Sequence, residues 1–313
     1  MSKPIAYSEI FHSIQGEGHY TGVPSTWLRF FLCNLQCDGF GQDDPTNPDS
    51  YDLPYQSIDV KDITKIEDLP VWEKGCDSSY SWSKKFKHLQ HKHTARDIVD
   101  LLDAANKNEY NPEGLWTHPV SGQTTHLCIT GGEPLMKHGQ KAFVDIWGSY
   151  YRGASVGLKP KNVTWETNGT QELTDEFYEY VGNPGVFTAE PFISCSPKLF
   201  TVSGEEAKRA IKPEFVAKYD DMVRRSYITS SPTPRGQLKF VLGPKKEQWE
   251  ELDDVISQFR AAGVHWPVWI MPVGATLEGQ ALCDGDVAKM AQSRGYNVSA
   301  RVHTYLYGNL IGV

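Results

Sequence analysis

The chain has 313 residues, of which 39% are hydrophobic and 22% are charged, and this composition is typical of a globular protein with a large core. Its 31 Lys and Arg residues against 39 Asp and Glu residues give a net charge of -8, without a long basic stretch. This charge argues against direct binding to nucleic acid. No apolar run reaches the roughly 18 residues of a membrane span, and the first residues lack the apolar core of a signal peptide. We therefore expect a cytoplasmic protein with no membrane partner.

Short apolar runs alternate with amphipathic segments from about residue 94 onwards. Thr94 is suited to cap a helix whose apolar positions have helical spacing: Ile98, Leu101, Leu102 and Ala105. Strands are predicted at 125–130, 162–167, 186–193, 237–242, 267–271 and 297–302, and further helices at 141–151, 172–181, 248–262 and 285–294. This order predicts an α/β fold with a mostly parallel sheet, open or partly closed into a barrel, in a single domain over residues 1–313. Chemistry in such folds takes place at the carboxyl ends of the strands.

Two segments differ from this pattern. Residues 38–75 contain ten acidic residues, three lysines and four prolines, and this composition predicts a surface insertion rather than core. A second segment, 200–236, separates two predicted strands and is predicted to be an irregular insertion.

Six cysteines in a reducing compartment are expected to be thiols or metal ligands. Cys33 and Cys37 form a C-x3-C pair, and Cys76 follows after 38 residues in Gly-Cys-Asp-Ser-Ser. A long insertion between metal ligands is tolerable, because the entropy of loop closure grows only logarithmically with loop length. The other cysteines, Cys128, Cys195 and Cys283, have no partner spacing and are predicted to be buried apolar residues.

Polar motifs follow three predicted strands. Thr-Gly-Gly-Glu-Pro stands at 130–134, Glu-Thr-Asn-Gly-Thr at 166–170 and Ser-Cys-Ser-Pro-Lys at 194–198. Glycines at a strand end let the backbone approach a ligand closely, although Asn-Gly and Ser-Pro are also ordinary turn signals.

The amino-terminal region carries Glu-Ile-Phe-His-Ser-Ile-Gln-Gly-Glu-Gly at 9–18 and Arg29 within an apolar strand-like run. An unpaired charge would be costly there, so a ligand carboxylate is a natural partner for Arg29. Near the other end, Arg-Val-His-Thr-Tyr stands at 301–305.

Together these residues resemble the radical S-adenosylmethionine superfamily, whose motif is C-x3-C-x2-C, and within it the 7-carboxy-7-deazaguanine synthase family. The spacing before Cys76 departs from that motif. The resemblance implies an incomplete TIM-like β/α barrel, with Cys33, Cys37 and Cys76 holding a [4Fe-4S] cluster whose fourth iron binds S-adenosylmethionine. It implies that the cofactor contacts are Gly131, Gly132, Glu133, Glu166, Asn168, Ser196 and Lys198. It implies that Gln15, Glu17, Arg29 and His303 contact the substrate and that Ser78 holds Mg²⁺.

The activity implied by the resemblance is conversion of 6-carboxy-5,6,7,8-tetrahydropterin to 7-carboxy-7-deazaguanine with loss of ammonia, in queuosine and 7-deazapurine biosynthesis. The radical chemistry is carried by the cofactor, so no protein side chain is expected to be a catalytic residue. The implied partners are the pterin, a flavodoxin-like reductant and a second copy of the chain in a homodimer.

Three alternatives stay open at this point. Another radical S-adenosylmethionine enzyme, such as a glycyl-radical activase, would keep the cysteines and Gly-Gly-Glu-Pro but would not need the Gln-Gly-Glu-Gly segment. A zinc-stabilised binding module would use the three cysteines with His88, His91 or His93. A homologue that has lost its cluster would be a regulatory binding protein.

Overall fold

The computed structural model describes residues 3–153, 159–226, 234–308 and 310–312. Its strands are β1 (Ile5–Ile14), β2 (Pro24–Phe30), β3 (His91–His93), β4 (His126–Gly131), β5 (Asn162–Thr167), β6 (Glu190–Cys195), β7 (Gly236–Leu242), β8 (Val268–Pro272) and β9 (Asn297–Val298). Its α-helices are α1 (Pro54–Ser57), α2 (Ala95–Ala105), α3 (Lys137–Gly153), α4 (Asp175–Val181), α5 (Phe200–Ser203), α6 (Ala207–Ala210), α7 (Pro213–Arg225), α8 (Lys246–Ala261), α9 (Leu277–Ala281), α10 (Asp284–Ser293) and α11 (Val302–Tyr307).

The strands form one sheet in the order β3-β1-β2-β4-β5-β6-β7-β8-β9. Strands β2 and β4 to β9 run parallel, whereas β1 is antiparallel to both of its neighbours. The turn after β1 meets the chain after β9, because Val302 N donates to Gly16 O at 2.9 Å and Gly18 N donates to Ser299 Oγ at 2.7 Å. The sheet is therefore curled into an incomplete barrel, which confirms the predicted fold class.

Successive side chains of a strand point to opposite faces of the sheet, one covered by the helices and the other facing the interior of the barrel. In β7, Leu238, Phe240 and Leu242 belong to the main apolar core, while Lys239 and Val241 face an internal cavity. The core also holds a group of large fully buried aromatic side chains: Phe143, Trp147, Trp165, Phe177 and Phe187. The side chains that can carry chemistry are thus those on the other face of the sheet.

The local predictions agree with the structure for most elements after residue 94. Thr94 caps α2 as predicted, in a capping box with Asp97. The predicted strand at 186–193 is shifted, because β6 begins at Glu190. The predicted strand at 297–302 is wrong beyond Val298, because the chain turns at Arg301 into α11 and docks on the turn after β1.

Residues 200–236 were predicted to be irregular. This prediction is wrong for the described part of the segment, which contains α5, α6 and α7. Helix α7 begins with Pro213 at its first turn and buries Val216, Tyr219, Met222 and Val223. Residues 227–233 of the segment lie outside the described residues.

The segment 38–75 is more ordered than its acidic composition predicts. Together with residues that follow it, it forms a second apolar cluster of Tyr55, Ile66, Leu69, Trp72, Tyr80, Phe86 and Leu89. Apolar residues of the segment thus pack against one another in this cluster, whereas most of its acidic residues do not take part in it.

Among the helices in the described ranges, none combines the length and the apolar character that crossing a membrane would require.

Candidate active site

One cavity of about 910 Å³ opens on the inner face of the sheet. It is lined by all but one of the predicted site residues: Gln15, Glu17, Arg29, Cys33, Cys37, Cys76, Ser78, Gly131, Gly132, Glu166, Asn168, Ser196, Lys198 and His303. These residues come from segments spread along almost the whole chain, so only the curled sheet brings them together.

The two ends of the segment 38–75 meet beside the cavity. Gly75 N donates to Phe40 O at 2.7 Å, and a Cβ on Gly41 would lie 2.2 Å from Glu73 O. This closure places Cys76 next to the earlier pair, and Cys33 and Cys76 both pack against the small buried group that contains Cys37. The three thiols therefore lie on one wall of the cavity, although 38 residues separate Cys37 from Cys76.

The loop that carries Cys33 and Cys37 is held by specific contacts. Gln36 N and Cys37 N donate to the carboxylate of Glu205 at 2.6 and 2.8 Å. Cys37 has a φ of 55° and Leu32 a φ of 90°, a conformation that non-glycine residues rarely adopt. Strained backbone of this kind persists where the surrounding structure enforces it, as it often does around ligand sites.

Two of the three thiols are partly buried and accept a hydrogen bond. Leu35 N donates to Cys33 Sγ at 3.4 Å, and Trp82 Nε1 donates to Cys76 Sγ at 3.4 Å. Burial raises the pKa of Cys33 to about 12 and raises the pKa of Cys76 as well. Metal binding would release these protons, and the N–H donors would then stabilise the thiolates.

Three cysteine thiols on one cavity wall are a donor set of the kind that holds an iron–sulfur cluster. A [4Fe-4S] cluster binds each thiolate to a different iron, so its ligands stand apart. Within the described residues, no three His, Cys, Asp or Glu side chains are placed to share a single metal ion. His93 Nδ1 pairs with the Tyr7 hydroxyl at 2.9 Å and His88 Nε2 with Ile63 O at 3.1 Å, so both are engaged away from the thiols.

The Gly131–Gly132 pair packs directly on the cysteine loop. A Cβ on Gly132 would lie 2.0 Å from Leu32 O, so only glycine permits this approach. Glu133 N donates to the same Leu32 oxygen at 2.8 Å. The glycines thus bring the end of β4 against the loop of Cys33.

The position of Glu133 differs from the prediction. We expected a carboxylate open to the cofactor, but the side chain is fully buried behind the cavity wall. Its oxygens accept hydrogen bonds from Asn168 N at 2.7 Å, Thr167 Oγ at 2.7 Å and Leu135 N at 2.8 Å. Burial raises its pKa to about 7. In this structure Glu133 fixes the end of β5, from which Asn168 enters the cavity.

The other two strand ends place polar groups around the cavity. Asn168 Nδ2 donates to Asn34 Oδ1 at 3.1 Å, which ties the end of β5 to the cysteine loop. Lys198 Nζ donates to Ser196 Oγ at 3.0 Å and lies 5.7 Å from the centre of the Phe40 ring. A cation and a hydroxyl therefore lie on the side of the cavity that also holds the thiols.

The turn after β1 forms the floor of the barrel. Because β1 is antiparallel to its neighbours, its carboxyl end lies at the amino ends of the parallel strands. Gln15 Nε2 donates to Glu166 Oε1 at 3.1 Å, and Glu17 N donates to Gln15 Oε1 at 3.1 Å. A Cβ on Gly16 would lie 1.8 Å from His303 Nδ1, so His303 stacks directly on this turn.

The pairing of Arg29 also differs from the prediction. The sequence suggested an unpaired guanidinium that awaits a ligand carboxylate, but Arg29 Nε donates to Glu9 Oε1 at 2.6 Å. The Tyr80 hydroxyl donates to the same oxygen at 3.0 Å, and Arg29 Nη1 donates to Gly131 O at 3.3 Å. Its charge is therefore balanced within the chain, although the side chain still lines the cavity.

The sequence analysis missed two cations of the site, Lys239 and Arg301. Arg301 donates to Glu17 Oε1 at 3.0 Å and to Asp77 Oδ2 at 2.7 Å, and Lys239 Nζ forms an ion pair with Glu17. Burial alone would raise the pKa of Glu17, but the charges of Lys239 and Arg301 hold it well below its usual range. A lysine in the middle of an apolar strand was the signal that could have identified Lys239.

The chain is similar to curated 7-carboxy-7-deazaguanine synthases over almost its whole length. It is 26% identical to the synthase of Rhodopirellula baltica, over 97% of this chain and 87% of that protein. It is 24% identical to the synthase of Halobacterium salinarum, over 96% of this chain and 90% of that protein. These relatives confirm the resemblance found in the sequence.

No protein-family model matches the chain. The crystal structure of QueE from Escherichia coli superposes with a TM-score of 0.46 at 16% identity, covering 96% of this chain and 95% of that one.

Proposed function

We propose that this chain is a radical S-adenosylmethionine enzyme that converts 6-carboxy-5,6,7,8-tetrahydropterin to 7-carboxy-7-deazaguanine with loss of ammonia, a step in queuosine and 7-deazapurine biosynthesis. The observation that carries the proposal is the convergence of the motif residues on one cavity, with the three thiols on one wall. Full-length similarity to curated synthases supports the same reaction class.

The thiol side of the cavity is the proposed cofactor side. Cys33, Cys37 and Cys76 would hold the [4Fe-4S] cluster, which supplies the electron that cleaves S-adenosylmethionine and so starts the radical chemistry. The backbone of Gly131 and Gly132 offers polar groups close to the cysteine loop. The Lys198 ammonium suits the cofactor carboxylate, and the Glu166 carboxylate suits its ribose hydroxyls.

The floor of the barrel is the proposed substrate side. The amide of Gln15 and the carboxylate of Glu17 offer donor and acceptor groups that suit the pyrimidinone edge of a pterin. His303 lies directly above this turn, and Arg29 lines the same cavity. Because Arg29 is paired with Glu9, we propose that a substrate carboxylate would share the guanidinium with Glu9 rather than meet a free charge.

The proposal also includes a magnesium ion, a protein reductant, a homodimer and a cytoplasmic location. The Ser78 hydroxyl lines the cavity beside Cys76 and supplies an oxygen ligand of the kind that Mg²⁺ prefers. A flavodoxin-like protein would deliver the electron, and the chain would act as a homodimer, as the resemblance implies. All six cysteines are free thiols, which suits the reducing cytoplasm.

An anaerobic reaction of the reconstituted protein tests the proposal. It would contain S-adenosylmethionine, dithionite, Mg²⁺ and 6-carboxytetrahydropterin, with mass spectrometry of the products. We expect 7-carboxy-7-deazaguanine from the wild type and from Cys195→Ala, a matched control because Cys195 is buried outside the cavity. We expect none from Cys76→Ala.

Two results would contradict the proposal in different ways. Formation of 5′-deoxyadenosine without the deazaguanine would keep the cluster and exclude this substrate. Failure of the wild type to bind iron after anaerobic reconstitution would exclude the cluster, and with it the radical mechanism.

A further inference from the structure

The ammonium of Lys239 lies between the two halves of the proposed site. Lys239 is in the middle of β7 and is only 4% exposed. Its Nζ forms a short ion pair with the carboxylate of Glu17, on the floor, and lies 3.8 Å from Glu166 Oε1, at the end of β5. One buried cation therefore serves a carboxylate on the substrate side and a carboxylate on the cofactor side.

The two carboxylates depend on this cation to different degrees. Glu17 also pairs with Arg301 at 3.0 Å, so it would keep one cationic partner without the lysine. Among the described residues, the ion pairs of Glu166 involve Lys239 alone, and its other contact is the neutral amide of Gln15. Removing the ammonium would leave Glu166 as a largely buried charge without a counter-charge, an arrangement that proteins avoid.

We propose that Lys239 is a positioning residue that couples the binding of S-adenosylmethionine to the binding of the pterin. A lysine ammonium has three donors on a flexible stem, so it can shift between two acceptors in a way that a rigid guanidinium cannot. A donor from the pterin that engages Glu17 releases part of the ammonium's interaction with that residue. The ammonium then holds Glu166 more firmly for the cofactor. The amide of Gln15, which donates to Glu166 and accepts from Glu17 N, links the same two groups and favours their joint movement.

Coupling of this kind is measurable as a change in the affinity for one ligand when the other is bound. It is reciprocal, so each ligand changes the affinity for the other by the same factor. The inference rests on the proposed function, since it names the pterin as the second ligand. The experiment uses the anaerobically reconstituted holoenzyme and measures the Kd of S-adenosylmethionine with and without 6-carboxytetrahydropterin, by equilibrium dialysis. In the wild type we expect the pterin to tighten cofactor binding by a factor of about 5 or more, the lower end of typical coupling.

Two variants remove the contact from opposite sides. In Lys239→Gln and in Glu166→Gln we expect the coupling factor to fall to about 1, and we expect the double variant to behave like either single variant. Lys239→Arg, which keeps the charge in a rigid fork, should retain part of the coupling. Lys246→Gln is the matched control, because that lysine is exposed on α8 and should leave the factor unchanged. Iron content and thermal unfolding of each variant show whether it is folded and loaded.

The outcomes separate this inference from the proposed function. A wild type that makes the deazaguanine, with a coupling factor that Lys239→Gln leaves intact, would overturn the role of Lys239 alone. A wild type with a coupling factor of 1 would do the same. A wild-type holoenzyme that binds no pterin would overturn both the inference and the function on which it rests. If Lys239→Gln does not fold, Glu166→Gln gives the same decision from the partner side.

Discussion

The contact between Gly132 and the cysteine loop makes a quantitative prediction. In Gly132→Ala the new Cβ would lie 2.0 Å from the backbone oxygen of Leu32 and 2.9 Å from Cys33 N. Both neighbours are backbone atoms, so the strain cannot be relieved by rotating a side chain. The loop must move away and lose the bond that Glu133 N donates to Leu32 O at 2.8 Å.

The cost of Gly132→Ala follows from these two effects. Overpacking a tight contact costs about 1–3 kcal/mol, and the lost hydrogen bond costs about 1 kcal/mol. We therefore expect the free energy of unfolding to fall by about 2–4 kcal/mol. Because Cys33 follows Leu32, we also expect less iron to be retained after reconstitution.

Urea denaturation of the apoprotein and iron content of the reconstituted protein measure the two effects. Gly148→Ala in helix α3 is the matched control, since among the described residues outside that helix a Cβ there would meet only the Tyr180 hydroxyl, at 3.8 Å. The same substitution should stabilise that helix by about 0.5–1 kcal/mol. A Gly132→Ala protein with wild-type stability and wild-type iron would refute the argument that this glycine is required by the approach of the cysteine loop.

Further predictions concern groups outside the cavity wall. Thr94→Ala removes the cap of α2 and should lower the free energy of unfolding by about 1 kcal/mol in urea denaturation, and an unchanged midpoint would contradict the capping box. Phe86→Ala should cost about 3–5 kcal/mol, because its side chain is fully buried in the second apolar cluster. A loss below about 1 kcal/mol would mean that this cluster unfolds separately from the rest. Burial lowers the pKa of His126 from 6.5 to about 4, so its contribution to stability is present above pH 6.5 and is lost as the pH falls through 4. His126→Phe should flatten the pH dependence of unfolding in that window by up to about 3 kcal/mol, and identical profiles would exclude this role.

The predicted elements after residue 94 depend on local rules. The capping box at Thr94, the period of α2 and the apolar runs of β4, β5 and β7 are properties of short stretches, and the structure reproduces them within a few residues. Helix α7 was not predicted, although Val216, Tyr219 and Val223 have helical spacing.

The motifs and the family resemblance named residues that, apart from Glu133, line one cavity, and their roles as ligands stay predictions. The contacts of those residues were not readable. Nothing local indicates that Glu9 neutralises Arg29 or that the side chain of Glu133 points behind the cavity wall.

The sequence by itself thus determined the elements, the thiols and the motifs that surround the cavity. The tertiary structure alone decided which charges are paired, because the partner of a buried ion comes from a distant strand. Lys239 and Glu17 are 222 residues apart, and Arg301 and Glu17 are 284 residues apart. A charge on an apolar strand predicts that some counter-charge exists, since burying it alone is too costly, but only the curl of the sheet selects which residue supplies it.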